Sequence, residues 1–237
     1  MPSIVGLPGL LCQPTVFDGI RAHPALADLR GLDLPDFDSF PRIAGNLAEK
    51  IDAGTILVGM SMGSYLCFEL MRLVPERITA LVLVGTQSAA DTPEAAAVRA
   101  KSSTWARKAG MEALAVVVCD QMLGAAARRD QDVRDRIVSM AVSTGIDIFA
   151  RHQTALAGRP DATATLARIE CPVLVLAGQE DKVTPAAAGQ AVAQGVRDGR
   201  FIPLEGVGHL PMLEAPELVA GHVATFVASA KKRKAAA

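Results

Sequence analysis

The chain has 237 residues, half of them hydrophobic, with 24 basic residues against 25 acidic ones and a net charge of −1. That balance argues against a nucleic-acid-binding surface and against a polyacidic tail protein, and so much apolar content without a long polar tract argues against disorder. No apolar run reaches the roughly 18 residues of a spanning helix, and Met1-Pro2-Ser3 leads straight into a strand-like run, so neither a membrane span nor a signal peptide is expected.

Ile4–Leu7 is the first predicted strand, followed by a weaker one at Ala27–Leu32. A helix is predicted over Phe40–Ile51, a strand at Thr55–Val58, a helix over Met62–Leu73 and a strand at Ala80–Val84. These strands are continuous apolar runs without in–out alternation, which suits a sheet buried on both faces. From about Ser88 to Ala167 no strand is convincing. Helical signals there fall at Pro93–Lys108, Met111–Leu123, Gln131–Val142 and Ile146–Leu156. Ten basic and nine acidic residues lie between Asp91 and Asp161, so this stretch is not a charged arm. A helical insert between two sheet strands is a natural cap over a site; plain packing helices are the bland alternative. The alternation resumes with a strand at Val173–Ala177, a helix over Pro185–Gln194, a strand at Phe201–Leu204 and a helix over Pro216–Ala230. Thr184-Pro185 reads as a helix start, with a side-chain cap and then a residue preset to helical φ. Lys231-Lys232-Arg233-Lys234 reads as a solvated, frayed tail.

The pattern predicts an α/β fold over residues 1–237: a single domain with a mainly parallel sheet of about six strands, flanked by helices, and a helical cap insert at 88–167. The cysteines at 12, 67, 119 and 171 are too far apart for a zinc ribbon or a Cys-x-x-Cys motif. They read as free thiols in a reducing cytoplasm. No metal and no cofactor is implied.

Gly59-Met60-Ser61-Met62-Gly63 carries the sharpest chemical signal. It joins a predicted strand to a predicted helix, where a strained serine projects its hydroxyl above the sheet edge. The flanking glycines are needed because side chains there would collide with the neighbouring strand and helix. A serine hydroxyl needs a base. Of His23, His152, His209 and His222, only His209 follows a strand, on the loop Glu205–His209, and so shares the carboxyl edge with Ser61. His222 falls on the last helix, His23 precedes a proline, and His152 reads as a surface or packing residue of the insert. The base needs an orienting acid. Glu180 and Asp181 compete on the loop after Val173–Ala177; Asp181 is favoured because it lies just before the Thr184-Pro185 helix start, leaving Glu180 as a loop charge. Leu7-Pro8-Gly9-Leu10-Leu11 lets the backbone turn close to a substrate. The N–H groups of Leu10, with Leu11 as fallback, and of Met62 are the expected oxyanion donors.

These residues resemble the α/β-hydrolase superfamily, in particular its small bacterial esterase-like members, over nearly the whole chain. The resemblance runs from Leu7-Pro8-Gly9-Leu10 through Gly59–Gly63 and Gly178–Asp181 to Gly208-His209, continuing in Leu210, Pro211, Glu214, Pro216 and Glu217. The order Ser61, Asp181, His209 is that of the nucleophile-elbow hydrolases. Three departures stand out. The chain starts at the strand before Pro8-Gly9, without the usual antiparallel hairpin, so one sheet edge is open or covered by a partner such as a second copy. Pro8-Gly9 replaces a frequent His-Gly pair, and Ser64 stands where a second glycine is common.

The resemblance implies a serine hydrolase acting on small to medium carboxylic esters through an acyl-serine. The same machinery would serve an enol-lactonase or a thioester hydrolase. A non-catalytic ligand receptor on this fold is the rival of another class. Trp105, Met111, Met122, Met140 and Phe149 of the insert, with Leu210, are candidates for an apolar wall against the substrate, although the same side chains would also serve as plain core.

Overall fold

The computed structural model describes residues 3–235. Six strands form one sheet: β1 (Ile4–Leu7), β2 (Leu29–Gly31), β3 (Thr55–Met60), β4 (Ile78–Val84), β5 (Val173–Gly178) and β6 (Gly199–Leu204). Their spatial order is β2-β1-β3-β4-β5-β6, and every pairing is parallel. The chain first steps outward from β1 to β2 and then returns to the far side of β1. That reversal puts the switch point of the sheet between β1 and β3, where α/β folds open a crevice beyond the strand ends.

The continuous apolar runs are explained by two cores, one on each face. Ile56, Val58 and Met60 of β3 point into one, and Leu57 into the other; Val82 and Val84 of β4 are likewise opposed by Leu81 and Leu83. Helices α1 (Phe40–Ala48), α2 (Met62–Leu73) and α6 (Ala186–Gly195) cover one face. Helix α7 (Pro216–Ala235) covers the other, through Val219, Val223 and Val227.

The insert is helical as expected: α3 (Pro93–Ala109), α4 (Met111–Met122) and α5 (Gln131–Ala157) lie between β4 and β5. The two helices expected over 131–156 run on as one element, broken at Gly145 (φ 74°, ψ 162°). Several boundaries differ from expectation: α1 ends at Ala48 rather than Ile51, β3 runs on to Met60, and β4 starts at Ile78. The weak strand shrinks to Leu29–Gly31, because Pro24–Leu26 forms a short 3₁₀ turn first. Strand β6 starts two residues early, at Gly199. The basic tail is helical as far as Ala235, and Arg233 there pairs with Asp198 at 2.5 Å.

The edge strands are short or polar. Strand β2 has three residues with Arg30 exposed, and β6 carries Arg200 and Pro203, both of which discourage edge-to-edge pairing.

A very close backbone approach ties α2 to β1. A Cβ added at Gly63 would lie 2.0 Å from the Leu7 carbonyl oxygen, so strand or helix would have to move. Gly45, inside α1, has nothing within 4 Å of such an atom. Gly63→Ala is therefore expected to cost about 3 kcal/mol or more, roughly 6–12 °C in thermal midpoint. Gly45→Ala is expected to gain about 0.5–1 kcal/mol. Circular-dichroism melts of the two variants beside the parent check both.

Candidate active site

Ser61 closes β3 and opens α2 at φ 50° and ψ −116°, a conformation that a residue with a Cβ adopts only under constraint. The constraint is visible. Its N–H donates to the Val84 carbonyl at 2.8 Å. Its own carbonyl accepts from the Ser64 N–H at 2.8 Å and from the Ser64 hydroxyl at 2.6 Å. Ser64, where a glycine would be commoner, thus clamps the turn and is itself fully buried.

His209 Nε2 lies 2.9 Å from Ser61 Oγ, and His209 Nδ1 lies 2.7 Å from Asp181 Oδ2. The His209 and Asp181 side chains are almost completely out of solvent. Burial alone pushes the Asp181 carboxyl up, but the hydrogen bond and charge of His209, with Thr184, outweigh it and hold the group below the usual carboxylate range. An ionised Asp181 can only accept, so Nδ1 carries a proton and Nε2 is the ring nitrogen that faces the Ser61 hydroxyl. Asp181 Oδ1 accepts from the N–H groups of Val183 and Thr184 at 2.8 and 2.9 Å, which fixes the carboxylate.

Thr184 does not cap a helix. Its hydroxyl donates to Asp181 Oδ2 at 2.7 Å, and helix α6 starts at Ala186 with Pro185 before it. The acid already on the loop won the hydroxyl. Glu180 is more than a loop charge: its carboxylate accepts from the Ala125 N–H at 2.6 Å and so holds the end of the insert.

A pocket of about 50 Å³ opens at Ser61, bounded by Gly9, Leu10, Tyr65, Arg99, Met122 and Leu210 as well as His209. It meets a larger, mostly apolar cavity of about 460 Å³, whose walls include Leu10, Leu114, Val118, Met122 and Phe149. Among the described residues, the N–H groups of Leu10 and Met62 hydrogen-bond to no other protein group, and Leu11 adopts φ 63° just beyond. Met122 and Leu210 border the smaller of the two cavities, and Met122 and Phe149 the larger. Trp105 does not: it is 43% exposed on α3 and lines neither cavity, because that helix turns its small residues, not its indole, inward. Met111 and Met140 are buried among the insert helices, on the core side. His152 is buried, with Nε2 3.0 Å from the Pro35 carbonyl oxygen.

Several residues escaped the sequence reading. A Cβ at Gly85 would press the His209 ring at 3.2 Å, and Gly85 has φ 58°; a glycine straight after β4 was the available signal. Glu214 is half-buried under the His209 loop. Its Oε2 accepts from the N–H groups of Gly124 and Gly208, and its Oε1 from Leu210, each at 2.8 Å. Burial pushes its carboxyl up despite those three donors. The His209 N–H itself donates to the Met122 carbonyl at 2.6 Å. Tyr65 and Arg99, on the pocket wall, gave no signal in the sequence. Among the described residues no group of three His, Cys, Asp or Glu side chains is placed to hold a metal, and no helix is long and apolar enough to cross a membrane.

Residues 5–222 match the model of the alpha/beta hydrolase family. A Mycobacterium tuberculosis protein with the provisional name non-heme bromoperoxidase BpoC is 29% identical over 199 residues, 78% of this chain and 72% of that one. A pimeloyl-[acyl-carrier protein] methyl ester esterase of Nitrosomonas europaea is 27% identical over 246 residues, 91% of this chain and 92% of that one. The crystal structure of the enol-lactonase from Burkholderia xenovorans LB400 superposes with a TM-score of 0.84 at 24% identity, over 96% of this chain and 91% of that one.

Glu214→Gln tests the support under the loop. An amide offers one acceptor oxygen where three N–H groups converge, and its NH₂ would face a donor. A loss of about 1–3 kcal/mol in urea unfolding is expected. A fall in kcat larger than any rise in KM should accompany it, read by steady-state kinetics on a neutral ester.

Proposed function

Since the chain belongs to the alpha/beta hydrolase family, we propose that it is a serine hydrolase that cleaves small to medium carboxylic esters through an acyl-serine. The observation that carries this reading is the continuous series Asp181–His209–Ser61, at 2.7 and 2.9 Å, beside a cavity. In the first step Ser61 Oγ bonds to the ester carbonyl carbon while His209 Nε2 takes its proton. Asp181 stabilises the imidazolium so formed. The N–H groups of Leu10 and Met62 receive the charge developing on the carbonyl oxygen, each being free of other partners among the described residues. The bond to the alcohol oxygen then breaks, and His209 returns the proton to that oxygen. Water, deprotonated by His209, attacks the acyl-serine; the acid leaves and Ser61 regains its hydroxyl. The insert closes over the site as a cap, and Leu114, Val118, Met122 and Phe149 receive the acyl chain.

The esterase relative from Nitrosomonas europaea, alike over nearly the full length of both chains, supports an ester as substrate. The likeness to the enol-lactonase supports a lactone as second choice, since ring opening uses the same steps with the alcohol still attached. A receptor without catalysis gains nothing from an imidazole aimed at a constrained serine.

A fluorophosphonate probe should label the protein at Ser61, and Ser61→Ala should abolish labelling. Absence of label on well-folded protein would overturn the reading. Asp181→Asn should lower kcat by about 10³–10⁴-fold, because the amide favours the wrong tautomer, whereas Glu180→Gln should not reach that loss. p-Nitrophenyl esters of increasing chain length, run beside simple lactones, separate the two substrate classes: higher kcat/KM on the esters is expected.

A further inference from the structure

Two guanidinium groups and one carboxylate are packed together on the wall beside Ser61. Asp91 sits just before α3 with its side chain 3% exposed, and Arg159, 2% exposed, is hydrogen-bonded to it. Arg159 also donates to the carbonyl oxygens of Ala89, at 2.8 Å, and Leu156, at 3.3 Å, and lies 4.6 Å from the Tyr65 ring centre. Arg99 reaches the same carboxylate through Nε and, at 3.4 Å, through Nη2, while its Nη1 donates to Gln153 Oε1 at 2.9 Å. Asp91 cannot neutralise both arginines, so the cluster carries one positive charge in excess.

The other carboxylates nearby are engaged elsewhere. Asp181 accepts from His209 and Thr184; Asp161 accepts from the N–H groups of Ala90 and Thr163 and feels the charge of Arg159, and neither is paired with Arg99. Burial pushes the Asp91 carboxyl up, yet the two arginines hold it below the usual range, so it stays ionised and does not release them.

The excess charge belongs to Arg99 by position. Arg159 is sealed, whereas the Arg99 side chain is 23% exposed and lines the pocket at Ser61, the large apolar cavity and a third cavity of about 350 Å³. Three of its five N–H donors are used, leaving one on each terminal nitrogen. A half-buried guanidinium that shares its one counter-ion with a second arginine, and borders an apolar cavity, is poised to pair with an anion from outside.

We propose that Arg99 forms an anion subsite beside Ser61, and that the preferred substrates carry a carboxylate: half-esters of dicarboxylic acids, or lactones with a free carboxylate. The proposal rests on the hydrolase reading and adds the charge of the substrate to it. Asp91 and Gln153 aim the guanidinium, and the apolar cavity between holds the methylene chain.

The test compares monomethyl esters of linear diacids, in a series of chain lengths, each beside its neutral twin in which the free carboxyl is an amide. The parent should prefer the acid over the amide in kcat/KM by about tenfold or more at its best length. Arg99→Gln should reduce that ratio by about tenfold, and Arg99→Lys should restore part of it. A ratio near one at every length, or one that Arg99→Gln leaves unchanged, overturns the subsite. A second measurement needs no variant: the free diacid should inhibit hydrolysis of a neutral ester competitively and the diamide should not, and equal inhibition by both overturns the proposal. Turnover of neutral esters without selectivity removes the subsite alone, whereas no turnover of any ester and no fluorophosphonate label removes the hydrolase reading itself.

Discussion

The backbone of Ser61 is the constraint on which the rest depends. At φ 50° a serine side chain strains against its own main chain, and relaxation would turn the hydroxyl away from His209. Relaxation is blocked from three directions. The Val84 carbonyl holds the N–H, the Ser64 N–H and hydroxyl hold the carbonyl, and Gly63 lets α2 approach β1 so closely that no side chain fits between. The sheet, its switch point and the dense packing of α2 can be seen as the support for one improbable dihedral angle. The cost is met by burial: Met62, Leu66, Cys67 and Leu70 of α2 are fully buried, at roughly 1.5–3 kcal/mol for each large side chain.

How much of this was legible follows from the range of the interactions. The six strands, the insert and Ser61 are written in local patterns: apolar runs of sheet length, glycines at fixed offsets, and a serine between strand and helix. Asp181 and His209 could be inferred because parallel strands deliver their following loops to one edge. Asp181 was preferred to Glu180 for standing just before Thr184-Pro185, and the structure gives each carboxylate a distinct partner. Thr184 was misread because helix capping and carboxylate binding ask for the same hydroxyl, and only geometry tells which group is nearer. The role of Glu214 and the Asp91–Arg99–Arg159 cluster were hidden for a different reason. Their partners lie far along the chain or on another element, and no spacing encodes such a meeting. Trp105 shows the converse failure: a large aromatic in a small-residue helix looked like a wall, but the packing of α3 against α5 uses the small residues.

The end of α4 is joined to the segments after β5 and β6 by hydrogen bonds of backbone N–H groups. Met122 accepts from the His209 N–H, Glu214 takes the Gly124 N–H, and Glu180 takes that of Ala125. These bonds are short and partly shielded, so placing the histidine and placing the pocket wall at Met122 are the same event. A substitution at the end of α4 would then reach the imidazole without touching it.

The other end of the insert is held differently. Arg151 of α5 pairs with Asp36 at 2.5 Å, with both side chains more than two-fifths exposed, and His152 contributes one hydrogen bond to the Pro35 carbonyl. Exposed ion pairs of this kind contribute about 0–1 kcal/mol. The break at Gly145 lies between this latch and the firmly held end of α4. The same stretch of α5 is also tied inward, by Gln153 to Arg99 and by the buried Phe149 and Leu156, so the exposed latch is only the outer part of its attachment. The insert is thus fixed to the loops around His209 through the end of α4 and to the Asp91–Arg99–Arg159 cluster through α5, and Gly145 marks the join between the two attachments.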